Sequence, residues 1–270
     1  MTTQMPTHMT TQSHTLTDTF TLLRRNLRHT VRYPSMTLGS VFGPVVMLLL
    51  FVGVLGKTLG EGLATGAQGS GYIGYIAPGI IITAVASGSM ATAVAVCVDM
   101  TEGIVDRFRT MPISRVAILA AHVVNSVITT VVSTGAVILA AVLLGFRPHA
   151  SVLEWMAGAA LLLTLSFALT WMAVAMGLVS PTAEAASNAP MLIVFLPFVG
   201  SAFAPAASMP AGVRQFAEYQ PFTPAIETVR GLLTGAPIGD NAVISLVWCA
   251  VIASGGYAWA VASFRKPRAH

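Results

Sequence analysis

Six long stretches without a single Asp, Glu, Lys or Arg constrain this chain more than any other feature of its sequence. Each stretch has at least 24 residues, and a helix of about 20 apolar residues crosses the hydrocarbon core of a bilayer. Barrel strands are about half as long and alternate in polarity, a pattern these stretches lack. The sequence therefore predicts an all-α membrane protein with six transmembrane helices. The stretches are residues 33–56, 62–98, 116–146, 155–183, 185–213 and 241–264.

The composition agrees with this prediction. Only 9% of the 270 residues are charged and 55% are hydrophobic, whereas an ordinary soluble domain is roughly 25% charged. A soluble protein of this size needs more charged residues than this to cover its surface. The composition therefore nearly excludes a soluble globular enzyme. The predicted spans are about 35–56, 72–98, 116–144, 152–179, 186–204 and 241–263.

The distribution of Lys and Arg predicts the orientation of the spans. The two tails and the second connection hold ten of the fourteen Lys and Arg residues. By the positive-inside rule these segments face the cytoplasm, so both termini are expected on the cytoplasmic side of the plasma (inner) membrane. The net charge of +4 then reflects membrane topology and anionic headgroups, and we expect no nucleic-acid partner.

The N-terminal region precedes the first predicted span and is polar at its start. Residues 1–14 are predicted to be a disordered tail, and residues 15–265 a single transmembrane domain. Within 15–33, apolar residues recur every three or four positions, which predicts an amphipathic helix in the cytoplasmic interface. Its basic residues include Arg24, Arg25 and Arg28.

Two segments do not read as simple loops. Residues 99–115 are the densest charge cluster in the chain, with the apolar Phe108 and Met111 among the charges. They predict either a short helix that docks into another protein or a charge cluster that only sets topology.

Residues 205–235 are too long and too apolar for a solvated loop. We expect one or two short helices there that dip into the outer leaflet without crossing.

Motifs for chemistry within the chain are missing from the sequence. Gly56-Lys57-Thr58 resembles the end of a phosphate loop, but Phe51 stands where a Walker A motif requires Gly. The charge-free stretches hold no carboxylate for ion coupling, and His122 is expected either to bond another helix or, less favourably, to serve substrate or protons. We therefore expect no catalytic residue, no metal site and an energy source in a partner.

Four features together resemble a known family. The run EGIVDRFRTMPISR (102–115) resembles the first cytoplasmic loop of type-2 ABC exporter permeases, most of all the daunorubicin-resistance-type drug exporters. Residues 15–33 are similar to the family's interface helix, and YIAPG (75–79) to its Y-x-x-PG entry to the second span. YQPFTPAIETVRGL (219–232) resembles the stretch NP-x-(T/S)-x-x-x-E-x-x-R before the last span, with Gln220 in place of Asn. Val105 also departs from the family, where many members have an acidic residue.

The resemblance implies a division of labour. Two permease subunits, identical or related, would pair with two cytoplasmic ABC ATPase subunits that bind ATP and Mg, while this chain binds no cofactor and is not an enzyme. Residues 102–112 would form a coupling helix seated in an ATPase groove, and the interface helix would touch the same subunit. The implied coupling residues are Glu102, Asp106, Arg107, Phe108, Arg109, Met111 and Pro112. Glu227 and Arg230 would neutralise each other in an external re-entrant pair.

Substrate class is predicted from the fifth span. Spans 2 and 5 would line the path at the dimer seam, where Met191, Phe195, Phe198 and Phe203 suit varied apolar ligands. The sequence thus favours export of a hydrophobic or amphiphilic small molecule such as a drug, antibiotic or polyketide. Two alternatives stay open: a lipid or polysaccharide exporter of the same fold, and a stand-alone channel or membrane anchor.

Overall fold

A computed structural model describes residues 34–63, 71–101 and 115–265 of the chain. Over these ranges the chain is helical and contains no strand, so the all-α prediction is confirmed. The predicted tail 1–14, the interface helix 15–33 with Arg24, Arg25 and Arg28, and the coupling helix 102–112 lie outside the described residues. The helices are α1 (Pro34–Leu63), α2 (Gly71–Thr101), α3 (Arg115–Leu143), α4 (Val152–Val179), α5 (Ala183–Asn188), α6 (Met191–Val199), α7 (Ala211–Tyr219), α8 (Phe222–Thr234) and α9 (Asn241–Arg265).

Four helices in the described part of the chain are long and apolar enough to cross a membrane. They are Gly71–Thr101, Ala120–Leu143, Val152–Val179 and Asn241–Ser263. The first predicted span lies within α1, where Val41–Val54 is the described apolar part, and the fifth corresponds to Ala183–Val199. The fifth is divided into α5 and α6 just before Pro190, because proline lacks the amide proton that would continue the helix.

Local sequence signals set several helix ends. A capping box starts α4: the Glu154 amide donates to Ser151 Oγ over 3.3 Å, and the Ser151 amide donates to Glu154 Oε2 over 2.6 Å. Thr182 caps α5 by accepting from the Ala185 amide over 3.2 Å. Helix α8 ends at Gly235, whose φ of 76° lies in the left-handed region that favours glycine. These caps set the residues at which the helices begin or end, and thereby the length of the connections between them.

Helix α2 lies at the centre of the molecule. Its middle section, residues 76–86, is buried on every side, and it packs against α1, α3, α4 and α8. By contrast, α9 exposes large side chains along its length, among them Val243, Leu246, Val247 and Val251. In a bilayer these side chains would face lipid.

Three glycines let the helices approach closely. A Cβ on Gly79 would lie 2.6 Å from the Ala202 carbonyl oxygen, and one on Gly256 would lie 2.7 Å from the Met172 amide nitrogen of α4. A Cβ on Gly177 would collide with the backbone of Ala93. Close backbone contact at small residues is a main source of cohesion between membrane helices, so these positions hold α2, α4 and α9 together.

Candidate functional site

The most concentrated polar site in the described chain is built around Arg230 of α8. Its guanidinium is 9% exposed and lies 2.5 Å from Glu227 Oε1. The same group donates to two backbone carbonyl oxygens, that of Ser201 over 2.7 Å and that of Tyr75 over 3.2 and 3.3 Å. One cation therefore connects α8 to the N-terminal part of α2 and to the turn that follows α6.

Tyr75 of α2 completes this connection. The Arg230 guanidinium carbon lies 3.9 Å from the centroid of the Tyr75 ring, which is a cation–π contact. The Tyr75 hydroxyl donates to the Ser201 carbonyl oxygen over 3.1 Å. Tyr75 and Arg230 thus converge on one carbonyl group, and together they connect α2 and α8 to the turn after α6.

Gln220, which lies between α7 and α8, contacts the same turn. Its Nε2 donates to the Leu196 carbonyl oxygen over 3.0 Å, at the end of α6. That carbonyl lacks its usual helical donor, because the amide of Gly200 bonds to Pro197 instead. The Ser201 amide donates to Thr223 Oγ1 over 3.3 Å. A Cβ at Gly200 would displace the Gln220 amide and the Thr223 hydroxyl, so a side chain there would disturb their bonds to the turn.

The structure brings together residues from two motifs that the sequence analysis treated separately. Tyr75 of the YIAPG motif contacts Arg230, which pairs with Glu227 in the segment before the last helix. Gly79 approaches Ala202 in the turn after α6, and Gln220 bonds the Leu196 carbonyl at the end of α6. The Glu227–Arg230 contact is present, while its place in an external re-entrant segment stays a prediction. Sequence reasoning missed the turn at Ser201 and its bond to Thr223. The one available signal was Arg230 itself, since a cation in an apolar region requires several acceptors.

The four substrate-path candidates belong to one aromatic row. Ring centroids are 5.9 Å apart for Phe195 and Phe198, 4.9 Å for Phe198 and Phe203, and 4.7 Å for Phe203 and Phe51. Met191 precedes Phe195 by one helical turn, and Met191, Phe195 and Phe198 are all exposed. Phe51 extends the row onto α1, and the sequence did not indicate this residue as part of the path. Transport of a substrate along this row stays a prediction.

His122 pairs with a carboxylate on a neighbouring helix. Its Nε2 lies 3.1 Å from Asp99 Oδ2, and both side chains are largely shielded from solvent. The pair links α3 to the C-terminal end of α2. This geometry matches the first of the two alternatives that the sequence left open for His122, a bond between helices. The segment 102–112 begins three positions after Asp99 and lies outside the described residues.

Among the residues that the structure describes, no three His, Cys, Asp or Glu side chains lie close enough to hold a metal ion. Cys97 and Cys249 are buried free thiols. Around Arg230 and His122, polar side chains connect helices to one another.

These features define a multi-pass helical membrane protein, held by polar contacts at both ends of α2 and by glycine contacts between its helices. Its family follows from comparison with known proteins. The family model of the ABC-2 type transporter matches residues 17–234, and the chain belongs to this family. It is therefore a membrane permease subunit of an ABC transporter.

Curated relatives in this family are similar over most of their length. The chain is 26% identical over 233 residues to the daunorubicin resistance ABC transporter permease protein DrrB1 of Streptomyces coeruleorubidus, covering 86% of this chain and 79% of that protein. It is 25% identical over 213 residues to the probable doxorubicin resistance ABC transporter permease protein DrrC of Mycobacterium tuberculosis. That alignment covers 79% of this chain and 77% of the relative.

Proposed function

We propose that this chain is the permease subunit of an ATP-driven exporter that moves hydrophobic or amphiphilic small molecules, such as drugs or antibiotics, out of the cell. The observation that carries the proposal is the family match over residues 17–234, together with relatives whose names specify resistance to daunorubicin and doxorubicin. The row of Met191 and the phenylalanines that follow it supports a cargo with apolar, aromatic surface.

The assembly that we propose contains two permease subunits and two cytoplasmic ATPase subunits that bind ATP and Mg. The transmembrane domain extends over residues 15–265, in the plasma (inner) membrane, with both termini in the cytoplasm. Helix α1, Pro34–Leu63, supplies the first of six spans, and Ala183–Val199, which is divided into α5 and α6, supplies the fifth. Residues 205–235, with Glu227 and Arg230, form the external re-entrant region.

We propose that residues 102–112 form the coupling helix that the ATPase grips. The triple change Asp106→Ala, Phe108→Ala and Arg109→Ala is expected to reduce drug-stimulated ATP hydrolysis and export at least tenfold, because the docked aromatic and its flanking charges are lost. The measurement is transport into inverted membrane vesicles, with co-purification of the ATPase as a second readout. Full retention of both would show that the ATPase binds another surface.

A matched control uses an exposed charged pair in the described part of the chain. Arg214 and Glu218 of α7 are bonded over 2.7 Å and are well exposed. Alanine at both positions removes as much charge as the loss of Asp106 and Arg109 does, and it is expected to leave co-purification unchanged. Equal loss in both variants would attribute the effect to a general change of surface charge.

We propose that the aromatic row forms part of the export path. Phe195→Ala and Phe198→Ala are expected to reduce export of aromatic cations several-fold while ATP hydrolysis without drug is unchanged, because only contacts with the cargo are lost. Phe167→Ala on α4 is the control, since Phe167 is also exposed and packs on Trp171 with ring centroids 6.3 Å apart. An equal effect of Phe167→Ala would argue against a specific path.

A further inference from the structure

The turn that follows α6, residues 200–204, is held in place mainly by side chains of other helices. Among the described residues, no backbone–backbone hydrogen bond involves residues 201–204. The Ser201 amide donates to Thr223 Oγ1 of α8 instead. The Ser201 carbonyl oxygen accepts from the Tyr75 hydroxyl of α2 and from the Arg230 guanidinium of α8. The position of this turn therefore depends on α2 and α8.

The same turn carries one ring of the aromatic row. Phe203 comes two positions after Ser201, and its ring lies between those of Phe198 and Phe51. Phe198 belongs to α6 and Phe51 to α1, so the backbone bonds of a helix fix both of them. Phe203 lies outside any helix. Its ring can stay in the row only while the turn is held at Ser201.

Helix α2 also contacts this turn through its backbone. A Cβ on Gly79 would lie 2.7 Å from the Ala202 Cα, so α2 and the turn are in direct contact between Ser201 and Phe203. Tyr75 lies one helical turn before Gly79 on α2. The hydroxyl bond and the close backbone contact thus act on adjacent residues of the turn, and both come from α2.

We propose that Tyr75 is a positioning residue for the aromatic row: its hydroxyl holds the Ser201 carbonyl and thereby places the Phe203 ring beside the cargo. Tyr75 acts through the turn and not by touching the cargo. This inference rests on the proposed export function, because the position of Phe203 affects transport only if the row is part of the path.

Tyr75→Phe tests the structural half of the proposal. It removes the hydroxyl and keeps the ring that packs on Arg230, and Arg230 still donates to the Ser201 carbonyl, so the turn is loosened without being unfolded. Hydrogen exchange at the Ser201 amide is measured by mass spectrometry on the purified full chain in lipid nanodiscs without any ATPase. Exchange is expected to be about five-fold faster, the factor that one hydrogen bond of ordinary strength produces.

Tyr72→Phe is the matched control. Tyr72 lies on the same helix and is buried, but its hydroxyl has no hydrogen-bond partner among the described residues. Removal of that hydroxyl breaks no described bond to the turn, so exchange at Ser201 is expected to stay at the rate of the unaltered chain.

Export of ethidium, a fluorescent aromatic cation, tests the functional half. In inverted membrane vesicles that contain the ATPase partner, Tyr75→Phe is expected to raise the KM for ethidium several-fold while the maximal rate stays within about two-fold. Phe203→Ala is expected to raise the KM at least as much. Adding Tyr75→Phe to Phe203→Ala should raise it no further, because Tyr75 acts through Phe203. A general loss of stability would lower the maximal rate and would not produce this lack of additivity.

An unchanged rate of Ser201 exchange in Tyr75→Phe would overturn the proposal, whatever the transport result. An additive increase in KM in the double variant would also overturn it, because Tyr75 would then act on transport by another route. If Phe203→Ala left the KM unchanged, the Phe203 ring would not contact the cargo and Tyr75 would lose this role. Absence of ethidium export by the unaltered chain would count against the export proposal, and the exchange comparison would still decide whether Tyr75 holds the turn.

Discussion

Replacing Arg230 with alanine is expected to lower the free energy of unfolding by roughly 3–5 kcal/mol, as the loss of one partner from a buried charged network does. The change leaves the carbonyl groups of Tyr75 and Ser201 without their donor and leaves Glu227 without its cation. It also removes the polar contact between α8 and α2. The measurement is the thermal unfolding midpoint of the purified chain in detergent, supported by chemical denaturation.

Arg214→Ala is the matched control for this prediction. Arg214 also pairs with a glutamate on its own helix, Glu218, over 2.7 Å, but its side chain is 50% exposed. Exposed salt bridges of this kind typically contribute about 1 kcal/mol or less to the free energy of unfolding. If the two variants unfold at the same midpoint, the network around Arg230 does not hold α8 to α2.

The second large effect on stability is expected at Gly256, one of two adjacent glycines in α9. Gly256→Ala is expected to destabilise the chain by about 1–3 kcal/mol or more, because the new Cβ would lie 2.7 Å from the Met172 amide nitrogen and 2.9 Å from the Trp171 carbonyl carbon. Backbone atoms of α4 cannot rotate away, so the two helices must separate. The same thermal unfolding assay measures the loss.

Gly255→Ala is the control, one position earlier in the same helix. No atom lies within 4 Å of a Cβ at Gly255. Alanine there is expected to be neutral or to stabilise the chain by up to about 1 kcal/mol, since alanine favours a helix over glycine. A Gly256→Ala chain as stable as the Gly255→Ala chain would mean that α9 does not pack on α4 in this register.

The helical class of this protein could be predicted because hydropathy acts locally. A charge-free stretch must satisfy its own backbone hydrogen bonds in lipid, and a helix of sufficient length does so whatever its neighbours are. Four of the charge-free stretches form the long apolar helices α2, α3, α4 and α9. Hydropathy failed to anticipate the division of the fifth span into α5 and α6, where Pro190 interrupts an otherwise apolar run.

The candidate site was predictable only in part. A pair of charges three residues apart on one helix, Glu227 and Arg230, can be read from spacing alone. The carbonyl groups that receive most of the Arg230 donors belong to Tyr75 and Ser201, which are 155 and 29 positions away. Backbone carbonyls carry no sequence signature, so spacing cannot identify them as partners.

By itself the sequence determined that this chain enters a membrane as helices, because transfer of apolar side chains into lipid depends only on their composition. Tertiary structure alone decided which helix occupies the centre. Apolar faces are equally stable against lipid and against protein, so hydropathy does not distinguish the buried α2 from the exposed α9. That choice is made by contacts that require shape: Gly177 against Ala93, Gly79 against Ala202, and Arg230 with the carbonyl groups it reaches.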